Sequence, residues 1–371
     1  MGVRNIYVAA TKQHVGKTTS TLGLVTAFKN KGIKVGYCKP VGQQSINFNS
    51  IQVDKDALLF SDVMNFELIA DIHSPVILGP GATTEFIDHP ESFQYRQRIE
   101  YAASILEPSK ELVIYEGTGH PGVGSVVGLS NADVAKLLDS GVVMIVEGGI
   151  GSTIDMLSLC IAKFQQKNVP LLGVIVNKVH EAKLEKVKYY VGKKLQEMNI
   201  PLLGVVPYDR SLAFPLLRSI CNAINGVVLH NGEQLENNTV EDIISGSLID
   251  TQKLLHSDDL LLIVSARQVD NALKKIQEIC RRVGKEKSPL AGIVATGLEE
   301  ANIKYLDYIN EHKIPVIRTA LDSFGVVIKY TQIEVKINRA TPWKVAKAIE
   351  LIEQNVALDH LLEQVDFQFH H

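Results

Sequence analysis

The sequence predicts an α/β protein: a parallel sheet with helices on both faces, followed by a second, smaller α/β domain. Three observations carry this reading. Short apolar runs alternate with longer helix-period stretches through the first two hundred residues, the pattern of strands joined by crossover helices. The runs are rich in Val, Ile and Leu without strict alternation, as strands covered on both faces must be. The chain has 371 residues, and at about 150 residues per domain that length suggests two.

Six runs supply the first sheet: residues 5–10, 34–40, 111–117, 142–149, 171–178 and 202–209. Gly32 is placed to close the helix that starts near Lys17, and Ser130 with Asp133 and Ser152 with Asp155 read as capping boxes. After a polar, Asn-rich stretch at 230–242 the alternation restarts. Strands are expected at 260–264, 290–295 and 315–318, with helices at 269–283 and 299–312. Val345, Ala348, Ile349 and Ile352 are spaced for a closing helix over 343–354. The boundary falls near 214–218, giving domains 1–215 and 216–371.

Composition narrows the function classes. Apolar residues are 46% and charged residues 21%, which excludes disorder. With 38 Lys plus Arg against 41 Asp plus Glu, the chain lacks the basic excess that binding a nucleic-acid backbone requires. Cys38, Cys160, Cys221 and Cys280 are dispersed without a CxxC pair, so a reducing compartment and no zinc are expected. The amino terminus enters an apolar strand directly, and no run approaches the ~18 apolar residues of a membrane span. No membrane partner and a cytoplasmic setting are the expectation. His370 and His371 are set aside as compatible with a purification tag.

The segment 8–20, VAATKQHVGKTTS, carries the strongest chemistry. It links a buried strand to a helix and ends in Gly-Lys-Thr-Thr. Backbone N–H groups of such a loop, with a helix N-terminus behind them, converge on a phosphate. This marks a P-loop, whose facing positions are Thr11, Lys12, Val15, Gly16, Lys17, Thr18 and Thr19. Lys17 would reach the β and γ oxygens, and Thr18 would place its hydroxyl on Mg²⁺. Thr11 stands where the leading glycine is usual. Lys12, five residues before Lys17, has the spacing of the extra lysine in the deviant P-loops of dimerising NTPases; a solvated surface lysine is the alternative.

Two carboxylates complete a metal site with Thr18: Glu116, at the end of a strand, and Asp56, in the loop-to-helix segment 53–60, where Asp54 is the alternative. Lys39 leaves the carboxyl end of the second strand, the edge where open α/β sheets bind ligands, and could neutralise a transferring phosphoryl group. Lys17 and Lys39 are thus the catalytic candidates. Asn177 is a candidate for the adenine edge, with Pro207 and Tyr208 flanking the ring. The glycine-rich stretch 116–133 could cradle a substrate or act as a switch, and His120 within it is a candidate for proton transfer.

Together, TKQHVGKTT, GYCKPVG, VDKDALLF, EGTG, GGIGSTID and VNK resemble dethiobiotin synthetase and its relatives, including cobyrinate a,c-diamide synthases and the N-terminal part of long phosphotransacetylases. The resemblance covers roughly residues 5–209 and implies a P-loop NTPase domain with a Mg-ATP site, usually in a homodimer. The second part resembles the DRTGG domain of phosphotransacetylases, with Arg267 and Thr296 as the matching positions in altered turns. Cys221 and Cys280 lie in helix-like contexts, so glutamine-dependent amidation is not expected, and the given length leaves no room for an acetyl-transfer domain. Where dethiobiotin synthetases place a Thr, a Glu and a Ser, this chain has Gln13, His14 and Gln43 beside the substrate position. Two functions are expected: a regulatory ATP-binding module acting on a metabolic enzyme, or an ATP-dependent ligase on a substrate other than diaminopelargonate.

Overall fold

Val, Ile and Leu runs pair because strands buried on both faces satisfy their backbone groups only with one another. In the computed structural model, which describes residues 4–49, 51–246, 249, 251–299, 303–333, 335, 337 and 341–365, all six expected runs enter one sheet. They are β1 (Asn5–Ala10), β2 (Val35–Cys38), β3 (Leu112–Glu116), β4 (Ser140–Glu147), β5 (Leu171–Val179) and β6 (Leu202–Pro207). The order is β6-β5-β4-β1-β3-β2, and every neighbouring pair is parallel. Tyr7 and Ala9 of β1 join a core with Leu157, Ile161 and Phe164 of the helix Gly151–Gln166, and with Val187 and Val191 of Leu184–Glu197. Helix α1 (Lys17–Asn30) also packs on β1. Between β2 and α2 (Lys55–Met64) the chain makes a hairpin of Ser45–Phe48 with Ile51–Asp54.

Local signals mostly act as expected. The Ser130–Asp133 capping box forms, and Gly32, at φ 88°, follows α1 with its N–H on the Lys29 carbonyl. Ser152 caps nothing: its helix starts one residue earlier at Gly151, and it is Thr153 that turns its hydroxyl back onto the Glu147 carbonyl at 2.9 Å. All four cysteines are free and buried.

The second unit spans Arg210–Lys336. Its strands are β7 (Val227–His230), β8 (Asp242–Ser245), β9 (Leu260–Ser265), β10 (Leu290–Thr296) and β11 (Val316–Thr319), ordered β7-β11-β10-β9-β8, with β7 antiparallel to β11 and the rest parallel. The helix expected at 269–283 forms as Val269–Arg282. Of the one expected at 299–312, residues 300–302 lie outside the described residues, and a helix runs over Leu306–Glu311.

One expectation about domains is corrected. The closing helix α3 (Pro342–Asn355) exists as read, but residues from Ile337 on group with the first unit rather than the second. Its buried face, with Ala348 and Ile352, lies on α1 so closely that a Cβ on Gly23 would sit 2.3 Å from Ile352 Cγ1. Beyond α3, Ala357 N–H bonds the Leu203 carbonyl at 2.8 Å. The second unit is therefore inserted between β6 and α3. Periodicity says that a helix face is buried, not which core receives it. Among the described residues no helix is long and apolar enough to cross a membrane.

Candidate functional site

The P-loop forms between β1 and α1, and its geometry accounts for the missing leading glycine. Thr11 does not take a left-handed backbone; it is buried and its N–H bonds the Ile145 carbonyl at 3.1 Å. The left-handed positions are His14, at φ 63°, and Gly16, at φ 91°. At Gly16 a side chain is doubly barred, because a Cβ there would sit 2.2 Å from Asn177 Nδ2. The first turn of α1 has no side-chain cap and no acidic residue, which leaves N–H donors and Lys17 beside one another for an anion.

Glu116, at the end of β3, is completely buried and organises the site. It forms a close ion pair with Lys17 Nζ, accepts from the Thr18 hydroxyl at 2.8 Å, and accepts from the Tyr37 hydroxyl at 3.0 Å. Burial pulls the Lys17 ammonium below the ordinary lysine range, against the opposing pull of Glu116. Lys39, 6% exposed at the end of β2, forms a close ion pair with Asp56 and lies 3.2 Å from Asp54 Oδ1. Burial alone would lower its pKa, but Asp56, Asp54 and Glu116 outweigh it and hold the ammonium above the usual lysine range.

Thr18 and Glu116 are thus in direct contact, and Asp56 stands in the adjoining ion cluster, close enough to act on Lys17 and Tyr37. These are hard oxygen donors from three segments, the kind Mg²⁺ takes together with water and phosphate oxygens. Among the described residues no three acidic, His or Cys side chains converge as a ready-made metal cage; an ion shared with a triphosphate does not need one. Of the two acids in 53–60, Asp54 caps α2 and is buried, whereas Asp56 presents its carboxylate to Lys39.

Other expected residues are placed differently. Val15 is buried and offers only backbone. Asn177 donates to the Val15 carbonyl and accepts from Lys178 N–H, both at 2.9 Å, so its amide braces the phosphate loop while keeping a second N–H and a second lone pair. Tyr208 N–H bonds the Val179 carbonyl at 2.8 Å, and with Pro207 it sits at the strand ends beside Asn177. Thr19 lies half-buried in the first turn of α1. Lys12 is exposed and pairs closely with Glu147 at the end of β4. His120 is exposed, its Nδ1 accepting from Gly122 N–H at 3.2 Å. Arg267 is held by Glu299 in the second unit, where the Thr296 hydroxyl lies 3.3 Å from the Val264 carbonyl.

Sequence reading missed Tyr37, Lys178, Glu147 and Asn131. Lys178 donates to the His14 carbonyl, bracing the loop from the same strand end as Asn177. Asn131 is buried and pins the glycine-rich segment: its Oδ1 accepts from Tyr7 OH and Thr118 N–H at 2.8 and 2.9 Å, and its Nδ2 donates to the carbonyls of Thr118 and His120 at 2.8 and 2.7 Å. Its sequence signal was a polar residue directly after the Ser130 cap, where solvent exposure is the usual reading.

A family model described as AAA domain matches residues 4–215. The ATP-dependent dethiobiotin synthetase of Methanococcus vannielii is 28% identical over 185 residues, covering 50% of this chain and 83% of that enzyme. A phosphate acetyltransferase of Acinetobacter baylyi is 23% identical over 354 residues, covering 86% of this chain and 46% of that protein. A cobyric acid synthase of Listeria monocytogenes is 26% identical over 204 residues, covering 47% of this chain and 38% of that enzyme. The chain spans about half the length of the phosphate acetyltransferases it matches. With its loop, its strand order and this match over more than half its length, the chain belongs to the AAA domain family, as a P-loop NTPase related to dethiobiotin synthetase and phosphate acetyltransferase.

Proposed function

We propose that this chain binds Mg-ATP and works as a nucleotide-dependent regulatory module for a metabolic enzyme. The observation that carries the reading is the buried ion cluster of Lys17, Lys39, Glu116 and Asp56, assembled from separate segments around an uncapped helix N-terminus. Burying charge is costly unless it is paired, and such clusters concentrate at functional sites. Mg-ATP supplies partners of both signs: phosphate oxygens for the lysines, and an ion for Thr18, Glu116 and Asp56. Regulation is supported by the changed substrate-side residues Gln13, His14 and Gln43, and by similarity extending over both units to phosphate acetyltransferases. The enzyme controlled would act in acyl-phosphate or acetate metabolism, and a homodimer in the cytoplasm is part of this proposal.

A second reading, an ATP-dependent ligase, is favoured by the match to most of the length of dethiobiotin synthetases. There Lys39 and the ion would stabilise charge on a γ-phosphoryl group passing to a carbamate or carboxylate.

Calorimetry should detect Mg-ATP binding that Lys17→Ala weakens by about a hundredfold or more, the cost of losing a charge-assisted phosphate contact and leaving Glu116 unpaired. Unchanged affinity would refute the site. ADP release that depends on added amine and bicarbonate would favour the ligase; binding without turnover would favour regulation.

A further inference from the structure

Asp54 lies inside the ion cluster, yet its position differs from that of the metal-facing acids. It is 1% exposed. Its Oδ1 accepts from Asp56 N–H at 2.9 Å and lies 3.2 Å from Lys39 Nζ, while Oδ2 accepts a long bond from Gln44 N–H at 3.4 Å. Its own N–H donates to Ser74 Oγ at 3.1 Å. Gly42 closes the remaining side, since a Cβ there would sit 2.4 Å from Asp54 Oδ2. Asp54 is fixed from every direction. Its neighbour Asp56 has a side chain 26% exposed and shares the same lysine.

One ammonium therefore stands between a buried, hydrogen-bonded carboxylate and a more accessible one. We infer that Asp54 is a positioning residue that retains Lys39, so that Asp56 can leave the lysine for Mg²⁺. This rests on the Mg-ATP reading above. When the ion arrives, Asp56 exchanges one cation for another. If Asp56 were the sole counter-charge, the exchange would strand a buried ammonium, and the metal would have to compete with it. Asp54 supplies the charge that stays behind, and it keeps the Lys39 amine directed at the strand-end edge where the phosphoryl group would lie. The cap on α2 couples the two acids further, because the same Asp54 oxygen that faces Lys39 holds the backbone of Asp56.

The test uses Asp54→Asn, which keeps the size of the side chain and a good helix cap while removing the charge. Mg²⁺ is titrated at fixed ATP with the full chain, following binding by thermal shift, and ATP affinity is measured separately with metal chelated. Asp54→Asn should raise the Mg²⁺ concentration for half-maximal binding by about fivefold or more, out of proportion to any change in metal-free ATP affinity. Adding Lys39→Met to Asp54→Asn should bring the metal requirement back to that of Lys39→Met alone, because the competing ammonium is gone. An unchanged requirement in Asp54→Asn, or equal weakening with and without metal, would reduce Asp54 to a structural cap and overturn the inference. A wild-type chain that binds no nucleotide would instead sink the reading of the site itself, and this inference with it.

Discussion

Both units are built on parallel strands, six in the first and four with an antiparallel edge strand in the second, and they differ in what stands at the carboxyl ends of those strands. In the first, the ends of β1, β2 and β3 bring Lys17, Lys39 and Glu116 together, with Asp54 and Asp56 alongside, and the groups pair with one another. In the second, the corresponding ends of β9, β10 and β11 carry Ser265, Thr296 and Thr319, whose hydroxyls are neutral, and the Arg267–Glu299 pair beside them is exposed. A parallel sheet offers a ligand edge wherever it ends. Charge is kept there only where opposite groups repay each other's desolvation. The difference teaches that the edge is general and the chemistry is local.

Substitutions at the two edges should therefore separate sharply. Glu116→Gln keeps a single acceptor oxygen where Thr18 and Tyr37 now use two, and leaves Lys17 buried without its counter-charge. It should cost about 3 kcal/mol of stability in urea unfolding, on the scale of breaking a buried pair. A loss under about 1 kcal/mol would mean that water already reaches the pair.

A second buried lysine in the same unit sharpens the contrast. Lys344 of α3 is 1% exposed, with its amine 5.1 Å from the Trp343 ring centre, and burial lowers its pKa from 10.5 to about 8. Lys39, 6% exposed and held by Asp56, Asp54 and Glu116, moves the other way. Between about pH 8 and 10.5 the unfolded chain holds a proton at Lys344 that the folded one has released, so stability rises with pH across that window. Below about pH 8 the penalty is fully present. Lys344→Met should be the more stable form at pH 7 by about 1–3 kcal/mol, and its advantage should shrink by pH 10. An advantage independent of pH would point to packing instead.

The smallest effect belongs to the second unit. Arg267→Ala removes an exposed pair, and should change stability by less than about 0.5 kcal/mol. Mg-ATP affinity should stay the same. A loss of Mg-ATP affinity would place a binding role at that edge, and a larger loss of stability would mean that the pair contributes more than a solvated ion pair.

The six strands of the first sheet, the P-loop and the residues of its ion cluster were legible because each rests on local pattern: apolar runs, a glycine before Lys-Thr, acids and a lysine near strand ends. For Asn177 the structure adds a role that local pattern did not show, a hydrogen bond to the Val15 carbonyl of the loop. Asn131 and Tyr37 were missed because a buried polar side chain announces itself only through partners distant in sequence, such as Tyr7 and Glu116.

By itself the sequence determined the six strands of the first sheet, the helices α1, Val269–Arg282 and α3, and where a phosphate loop lies, since periodicity, glycine conformation and helix ends are properties of neighbouring residues. Tertiary structure alone decided that α3 returns to the first unit, that Asp54 rather than Asp56 is locked, and which lysine pairs with which acid. These are choices of packing and charge pairing between segments far apart along the chain, and their energies depend on burial that exists only after folding.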